Sequence, residues 1–243
     1  MAQPGVASAH GASGDPEHLT AAASVPVLEN GDRLTRCEFE RRYAARPDLK
    51  KAQLIEGIVY MPSPVSVVHA GPHAMIQTVL LVYAASTPGV RGYDNATVRL
   101  DLDNEPQPDV LLCIEPDAGG RSRVSDDDYI EGAPELFVEV AASSASIDLH
   151  AKLRAYRRNG VQEYIVWRTH EQRIGWFELA DDEYRPLPSD DAGVIHSRVF
   201  PGLRLATRAL LKGDLAGALA EVQKGVGTPE HRAFVARLAE KAE

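Results

Sequence analysis

One stretch of the sequence, residues 135–161, constrains the fold most strongly, because it joins an apolar strand, a serine-rich turn and a basic helix. The strand part, LFVEV, is a nearly continuous apolar run, which predicts a central strand covered on both faces of a sheet. Glu139 interrupts that run. An unpaired carboxylate buried in a sheet costs several kcal/mol, so Glu139 requires a cationic partner or a metal ion. Residues 135–161 therefore predict an α/β fold with a candidate site at Glu139.

The residues after this strand predict a helix over residues 147–159. Ser143, Ser144 and Ser146 precede it and are suitable N-cap residues, and Gly160 is a suitable residue to end it. A basic helix is thus expected to start close to the end of the strand that carries Glu139.

Lys152 lies beside the apolar stripe of this helix. The stripe consists of Leu149, Leu153 and Tyr156. At about 100° per residue, Lys152 falls roughly 70° to one side of the stripe. Lys152 is therefore expected to lie against the sheet and to extend its ammonium towards the strand end, whereas Arg154 and Arg158 point to solvent. An ordinary i,i+4 ion pair between Asp148 and Lys152 is the alternative.

The length and composition of the chain fit a soluble protein with one principal domain. Its 243 residues include 44% hydrophobic and 25% charged residues, an ordinary proportion for globular proteins. Residues 1–30 are rich in Ala, Gly, Ser and Pro without apolar periodicity, which predicts a disordered tail. Residues 31–206 form the predicted domain. Residues 207–243 contain two amphipathic segments, which predict a helical C-terminal extension that could pack on the domain or pair with another subunit.

The same composition disfavours several classes of protein. No apolar run approaches the roughly 20 residues of a membrane span, and the N-terminus lacks the apolar segment of a signal peptide, so a cytoplasmic protein without membrane contact is expected. Cys37 and Cys113 support neither a disulfide framework nor a structural zinc site. The net charge of −9 argues against a constitutive nucleic-acid binder. It does not exclude a nuclease, because a bound metal and local basic residues can reverse the charge of a site.

Other segments predict the elements around the central strand. Asp109 stands at the start of a second continuous apolar run, VLLCI, which predicts another central strand. Glu56 and Gly57 separate two short apolar segments, as expected of a hairpin turn. Residues 67–85 predict a long helix, and residues 92–102 alternate between apolar and polar side chains, which predicts one strand.

Asp109, Glu139 and Lys152 are the residue types that phosphodiester hydrolysis requires. Two carboxylates on adjacent strands can hold Mg²⁺, which polarises a phosphate and lowers the pKa of an attacking water, and a nearby lysine stabilises the charge that develops on the phosphate oxygens. Without metal the carboxylates would repel the substrate, since like charges about 4 Å apart cost roughly 4 kcal/mol at an effective dielectric constant of about 20. A metal is therefore obligatory in this interpretation. In a purely structural interpretation Asp109 caps a turn, and Glu139 and Lys152 form a buried ion pair.

The same residues carry a resemblance to a known family. Between residues 35 and 205, the segments QLIEGIVYMPSP, TVRL, PQPDVLL, IEGAPELFVEVAASS, GVQEYIVW and FPGLRL closely resemble the Uma-two family of bacterial restriction-endonuclease-like proteins, in the PD-(D/E)xK nuclease superfamily. The resemblance implies a mixed central sheet flanked by helices, and DNA cleavage with Mg²⁺, which Mn²⁺ can replace. It further implies that Pro108 and Asp109 are the PD of the motif, that Glu139 is the second acid, and that Lys152 is the lysine, moved to the following helix. Asp109 and Glu139 are the implied metal ligands.

This chain departs from the family pattern at several positions. Ala141 occupies the strand position of the motif's lysine. Family members often carry acids where this chain has Gln53 and Ile58, which leaves Glu56 as the only carboxylate of the hairpin. Glu56 is a candidate catalytic residue that could orient the attacking water, or else a solvated turn residue. His69, at the start of the predicted long helix, could approach the phosphate, act as a base or hydrogen-bond locally.

The sequence supports functions of different classes. The first is a Mg²⁺-dependent endodeoxyribonuclease, a hydrolase that acts as a homodimer because two strand cuts need two sites. The second is a catalytically inactive module that keeps the nuclease fold and binds DNA or protein, as the loss of hairpin acids could permit. A nuclease acting on RNA or on structured DNA is a third.

Overall fold

A computed structural model describes residues 25–61, 64–142 and 148–242 of the chain. The predicted N-terminal tail falls largely on residues 1–24, and the predicted caps Ser143, Ser144 and Ser146 also lie outside the described residues. The helices are α1 (Arg36–Ala44), α2 (Val67–Ala85), α3 (Leu153–Arg158), α4 (Thr207–Leu211), α5 (Leu215–Val226) and α6 (Pro229–Ala242). The strands are β1 (Gln53–Ile55), β2 (Ile58–Tyr60), β3 (Val90–Asp94), β4 (Val98–Arg99), β5 (Val110–Ile114), β6 (Ser122–Val124), β7 (Ile130–Gly132), β8 (Leu136–Ala141), β9 (Glu163–Arg168), β10 (Arg173–Ala180), β11 (Glu183–Pro186), β12 (Val194–His196) and β13 (Arg204–Ala206).

A six-stranded mixed sheet forms the centre of the molecule, in the order β11-β10-β9-β8-β5-β3. Strands β8 and β9 pair in parallel, and the other neighbours pair antiparallel. A parallel pair requires a crossover connection, and the chain between β8 and β9 contains α3. Every residue of β8 is buried, as its apolar run predicts. The predicted mixed central sheet flanked by helices is confirmed.

The two faces of the sheet pack against different helices. Helices α2, α5 and α6 contribute to the larger hydrophobic cluster on one face, which also contains Val110 and Val138. Helix α3 contributes to the cluster on the other face, together with Leu111 and Phe137. Because side chains alternate along a strand, Glu139 shares the face of Phe137, beneath α3. The polar residue of β8 thus points towards the helix that follows it.

The C-terminal helices pack on the sheet. Val222 of α5 and Phe234 and Leu238 of α6 are buried in the same cluster as the core residues of α2. The first of the two predicted arrangements, packing on the domain, is therefore the one observed for α5 and α6. At the other end of the described chain, Leu28 is 2% exposed and packs with Phe39, so packed residues begin before the predicted end of the tail at residue 30.

Helix α2 meets the length and composition of a membrane span, the one helix in the described part of the chain to do so. Its residues Ile76, Val79, Leu80 and Tyr83 are nevertheless fully buried against the sheet. Their spacing of three and four residues forms one apolar stripe, as expected of a helix that covers a sheet. This face of α2 is therefore a core face.

The prediction of one strand over residues 92–102 is wrong. The chain divides there into β3, in the central sheet, and β4, in a three-stranded sheet with β7 and β6. Asn95 lies between them with φ of +51°, in the left-handed region that asparagine tolerates better than most residues. The Asn95 amide donates to the backbone oxygen of Asp109 at 3.1 Å. The break therefore brings Asn95 next to Asp109, which the alternating pattern could not indicate.

Candidate active site

Asp109 and Glu139 lie side by side on neighbouring strands. Strands β5 and β8 run antiparallel, and Val110 pairs with Val138 in their register. One position further, this register sets Asp109 opposite Glu139. Both side chains are buried, and both line one cavity of about 750 Å³. The structure thus brings together the two carboxylates that the sequence singled out.

The two oxygens of Asp109 have different surroundings. Oδ2 accepts a hydrogen bond from the Val140 amide at 2.7 Å, and His69 Nε2 lies 3.2 Å from the same atom. A carboxylate can only accept, so His69 is the donor. The Lys51 ammonium faces Oδ1 at 4.0 Å, which is beyond hydrogen-bond distance. Asp109 is therefore oriented through Oδ2, while Oδ1 faces a cation across a gap.

These contacts keep Asp109 ionised. Burial raises the pKa of Asp109, but the hydrogen bonds from His69 and Val140 and the charges of His69 and Lys152 outweigh it, so the pKa lies below its usual value. The hydrogen bond to Asp109 outweighs burial at His69 and raises the pKa of its imidazole. Each group thus stabilises the charged form of the other.

Glu139 is held by two donors from the helical segment that follows β8. The Lys152 ammonium lies 2.8 Å from Oε1, and the Tyr156 hydroxyl donates to the same oxygen at 2.8 Å. The side chains of Lys152 and Glu139 are each 4% exposed. The buried carboxylate of Glu139 therefore has a cationic partner, which is one of the two alternatives that its place in an apolar strand predicts.

The local backbone explains how Lys152 reaches Glu139. Lys152 is the last residue of a π-helical turn, Asp148–Lys152, which continues directly into α3. Tyr156 follows one turn later, so both side chains approach Glu139 from one face of the helix. Arg154 is exposed on the other side. The expected directions of Lys152 and Arg154 are therefore observed, although the first turn is wider than the α-helix that the sequence predicts.

Lys51 and Asn95 are cavity residues that the sequence did not single out. The Lys51 ammonium donates to Asn95 Oδ1 at 2.6 Å. His73 also lines the cavity, with Nε2 3.1 Å from the Asp109 backbone oxygen and 2.8 Å from Asp94 Oδ1. The basic pair KK before β1 was a weak signal for Lys51. Nothing in the sequence pattern pointed to Asn95, because its place depends on the break between β3 and β4.

The structure does not bring Glu56 to this cavity. Glu56 and Gly57 form the hairpin turn, with φ values of +50° and +73°, as in the type I′ turn that favours tight hairpins. The Glu56 carboxylate accepts hydrogen bonds from Arg154 Nε at 3.2 Å and Nη2 at 2.6 Å. It lines a separate cavity of about 460 Å³. Gln53 of the same hairpin does line the cavity of Asp109, so an amide stands where the resemblance led us to look for an acid.

The carboxylates present fit Mg²⁺ or Mn²⁺ better than a metal that needs a full protein cage. Among residues 25–61, 64–142 and 148–242, no group of three or more His, Cys, Asp and Glu side chains is arranged to hold a metal ion. Mg²⁺ in nucleotide-processing enzymes is commonly bound by one or two carboxylates, with waters and substrate phosphates as its other ligands. Asp109 and Glu139 present carboxylate oxygens, which are hard donors, on adjacent strands. The donor set is therefore suitable for Mg²⁺ and unsuitable for a structural zinc ion.

Comparison with protein families decides the relationship of the chain. The Uma2 family model, described as "Putative restriction endonuclease", matches residues 37–208, more than half of the sequence. The chain belongs to the Uma2 family. Asp109, Glu139 and Lys152 all lie within the matched range, whereas α5 and α6 lie beyond it.

A solved structure supports the same fold for this Uma2 protein. It is similar to the crystal structure of "a putative nuclease belonging to DUF820 from Anabaena variabilis ATCC 29413", with a TM-score of 0.56 and 14% sequence identity. The match covers 71% of this chain and 97% of the Anabaena protein. At this identity the likeness concerns the fold. Comparison with curated proteins gives no match.

Proposed function

We propose that this Uma2 protein is an endodeoxyribonuclease that hydrolyses DNA phosphodiester bonds with Mg²⁺ as its cofactor, which Mn²⁺ can replace. One observation carries the proposal: Asp109 and Glu139 share an open cavity on neighbouring strands, with the Lys152 ammonium 2.8 Å from Glu139. A purely structural ion pair between Glu139 and Lys152 would not need a second carboxylate in the same cavity. Family membership supports the reaction class.

Each residue of the site has a chemical task in this reaction. Asp109 and Glu139 would hold the cation, which when bound would act as a Lewis acid on the phosphate and lower the pKa of the attacking water. Lys152 supplies positive charge to the phosphate oxygens as the bond to water forms. His69 donates to Asp109 Oδ2 and keeps this carboxylate oriented and ionised, as the outer partners of metal ligands commonly do.

The charge of the chain fits a catalytic encounter with DNA better than permanent binding. The net charge is −9, which disfavours a long basic groove. Lys51, Lys152 and His69 line the cavity, and a bound divalent cation adds to their positive charge. DNA is therefore the proposed substrate, and the metal contributes to substrate binding as well as to catalysis.

The proposal includes the setting of the enzyme. Cutting both strands of a duplex requires two sites, so we include a homodimer, which sedimentation of the purified chain would test. We also propose a cytoplasmic location in a bacterium, which suits a DNA substrate. Deleting residues 1–24 should leave cleavage unchanged, because every described residue that lines the cavity follows residue 24.

Nicking of supercoiled plasmid tests the reaction directly. The wild-type protein should convert the plasmid to open-circular and linear forms with Mg²⁺ or Mn²⁺ and should do nothing in EDTA. Asp109→Asn should be inactive, and Asp126→Asn, which changes an exposed acid by the same one charge, should remain active. Cleavage by Asp109→Asn at the rate of Asp126→Asn would reject Asp109 as a site residue.

Calorimetry separates the enzyme from the alternative, an inactive module that binds DNA or protein. Mn²⁺ should bind the wild type and Asp126→Asn, and binding should be lost in Asp109→Asn. If Mn²⁺ binds through Asp109 but no plasmid is cut, the inactive module is the better description. Gln53 favours that alternative, since it leaves the cavity without a hairpin carboxylate.

A further inference from the structure

Lys51 places an ammonium group beside Asp109 in the cavity. Lys51 precedes β1, and its side chain is 28% exposed at the wall of the cavity. Its ammonium lies 4.0 Å from Asp109 Oδ1 and donates to Asn95 Oδ1 at 2.6 Å. The Lys51 ammonium thus faces Asp109 Oδ1 without a hydrogen bond to that oxygen.

The position of this ammonium is fixed by the backbone around Asp109. Asn95 adopts φ of +51°, and its amide donates to the Asp109 backbone oxygen at 3.1 Å. The Asn95 side-chain oxygen that accepts from Lys51 is therefore tied to the residue whose charge Lys51 balances. A non-glycine residue keeps a left-handed backbone only where its surroundings hold it there. The fold therefore fixes the position of Asn95 and, through it, that of the Lys51 ammonium.

A divalent ion held by the Asp109 carboxylate and the Lys51 ammonium that faces this carboxylate would repel each other. Lysine carries a point charge on a long flexible stem, so its ammonium can move away from Oδ1 while staying at the cavity wall. The next suitable partner there is an anionic oxygen, and phosphate oxygens accept strong hydrogen bonds from ammonium groups.

We propose that Lys51 is a phosphate-binding residue of the cavity, which balances the charge of Asp109 when no metal is bound and takes a phosphodiester oxygen of DNA when metal occupies Asp109. This inference rests on the proposed function, because it requires a metal at Asp109. Lys51 and the metal compete for Asp109 in the absence of DNA, and they act together on the phosphate in its presence.

Lys51→Gln is the main test, because it removes the positive charge and keeps an N–H donor in the side chain. Without DNA, Mn²⁺ should bind this variant about ten-fold more tightly than the wild type by calorimetry, the effect expected when a close like charge is removed. Lys51→Arg keeps the charge and should bind Mn²⁺ like the wild type. Lys212→Gln, at an exposed position that does not line the cavity, changes the net charge equally and should alter the affinity by less than about two-fold.

DNA binding supplies the second measurement. With Ca²⁺ replacing Mg²⁺, a short DNA duplex should bind Lys51→Gln about ten-fold more weakly than the wild type, and the salt dependence should fall by about one phosphate contact. Lys212→Gln should keep the salt dependence of the wild type. The same salt slope in Lys51→Gln and Lys212→Gln would overturn the phosphate contact.

The outcomes separate this inference from the proposed function. Mn²⁺ binding that depends on Asp109 but is unchanged in Lys51→Gln overturns the competition and leaves the proposed function standing. The expected Lys51→Gln effects without any plasmid cleavage support the Lys51 role and reject hydrolysis. No Mn²⁺ binding to the wild type overturns both.

Discussion

Two basic residues of the same helical segment form ion pairs on opposite sides of it. Lys152 and Glu139 meet at 2.8 Å with side chains that are each 4% exposed, and Arg154 and Glu56 meet at 2.6 Å with side chains that are 54% and 26% exposed. Their separations are nearly equal, so distance does not distinguish them. Burial does, because an exposed pair contributes about 0–1 kcal/mol, whereas removing one partner of a buried pair costs about 3–5 kcal/mol.

The buried pair is also a poor way to gain stability. Replacing a buried ion pair by apolar residues of the same shape is often neutral or stabilising, because both charges must lose their hydration. Lys152 and Glu139 therefore call for another explanation than stability, and a cavity that also holds Asp109 supplies one. Arg154 and Glu56 need none, since pairs of this kind are common on exposed surfaces.

The largest expected effect concerns the stability of Lys152→Ala. This change leaves Glu139 buried without its cation and should lower the free energy of unfolding by about 3–5 kcal/mol in urea titrations. The double variant Lys152→Met with Glu139→Gln removes both charges and should recover most of the loss. A cost for Lys152→Ala no greater than that of Arg154→Ala would mean that the two pairs do not differ as their burial indicates.

The next effect concerns the cleavage rate. Single-turnover cleavage by Lys152→Ala at saturating Mg²⁺ should be about 100- to 1000-fold slower than that of the wild type, the usual cost of one positioned electrostatic donor, or about 2.7–4 kcal/mol. Rates should be compared at a temperature where circular dichroism shows the variant to be folded. Arg154→Ala is the control and should change DNA binding modestly and in a salt-dependent way. If the two variants cut equally fast, Lys152 is a structural partner of Glu139 alone.

A smaller effect is expected for the exposed pair. Arg154→Ala should lower the free energy of unfolding by about 0.2–1 kcal/mol at low salt. This loss should shrink as salt is added, because ions screen exposed charges more than buried ones. The loss in Lys152→Ala should change little over the same range of salt, and a parallel decline in both variants would contradict the contrast.

The smallest effect is the pH dependence of that exposed pair. The hydrogen bond from Arg154 lowers the pKa of Glu56 below its usual value of 4.5. A carboxyl whose pKa is lowered in the folded state stabilises the protein above the unfolded pKa, and this stabilisation is lost as the pH falls through the folded pKa. The unfolding free energies of the wild type and Arg154→Ala should therefore converge below about pH 4. A difference that stays constant from about pH 5 down to about pH 2 would mean that the charge of Glu56 does not contribute to the pair.

The two residues of the buried ion pair could be predicted from the sequence, because the strand and helix periodicities determine which way their side chains point. The period of two along β8 puts Glu139 on the face of Phe137, and the helical period puts Lys152 and Tyr156 on one side of the following segment. Asp109 follows from the apolar run that it precedes. The positions of these residues could therefore be predicted without knowing the conformation of any loop.

The rest of the site could not be predicted, because it depends on turns. Asn95 interrupts an alternating pattern that reads as one strand, and only its left-handed backbone brings it to Asp109 and Lys51. The choice between the two interpretations of Glu56 depends on a turn as well: its position in the hairpin turn directs the carboxylate to Arg154, on the exposed side of α3. Sequence periodicity carries no signal for either direction.

The packing of α5 and α6 has a consequence for how this protein can be cut and expressed. The family match ends at residue 208, yet Val222, Phe234 and Leu238 fill the same cluster as the core of α2. A fragment trimmed to the matched range would leave an apolar face of α2 and the sheet open to water, and such surfaces promote aggregation. The range that matches the family is therefore shorter than the part of the chain needed to cover the core. A fusion partner or reporter is better placed after residue 242 than at the end of the family match.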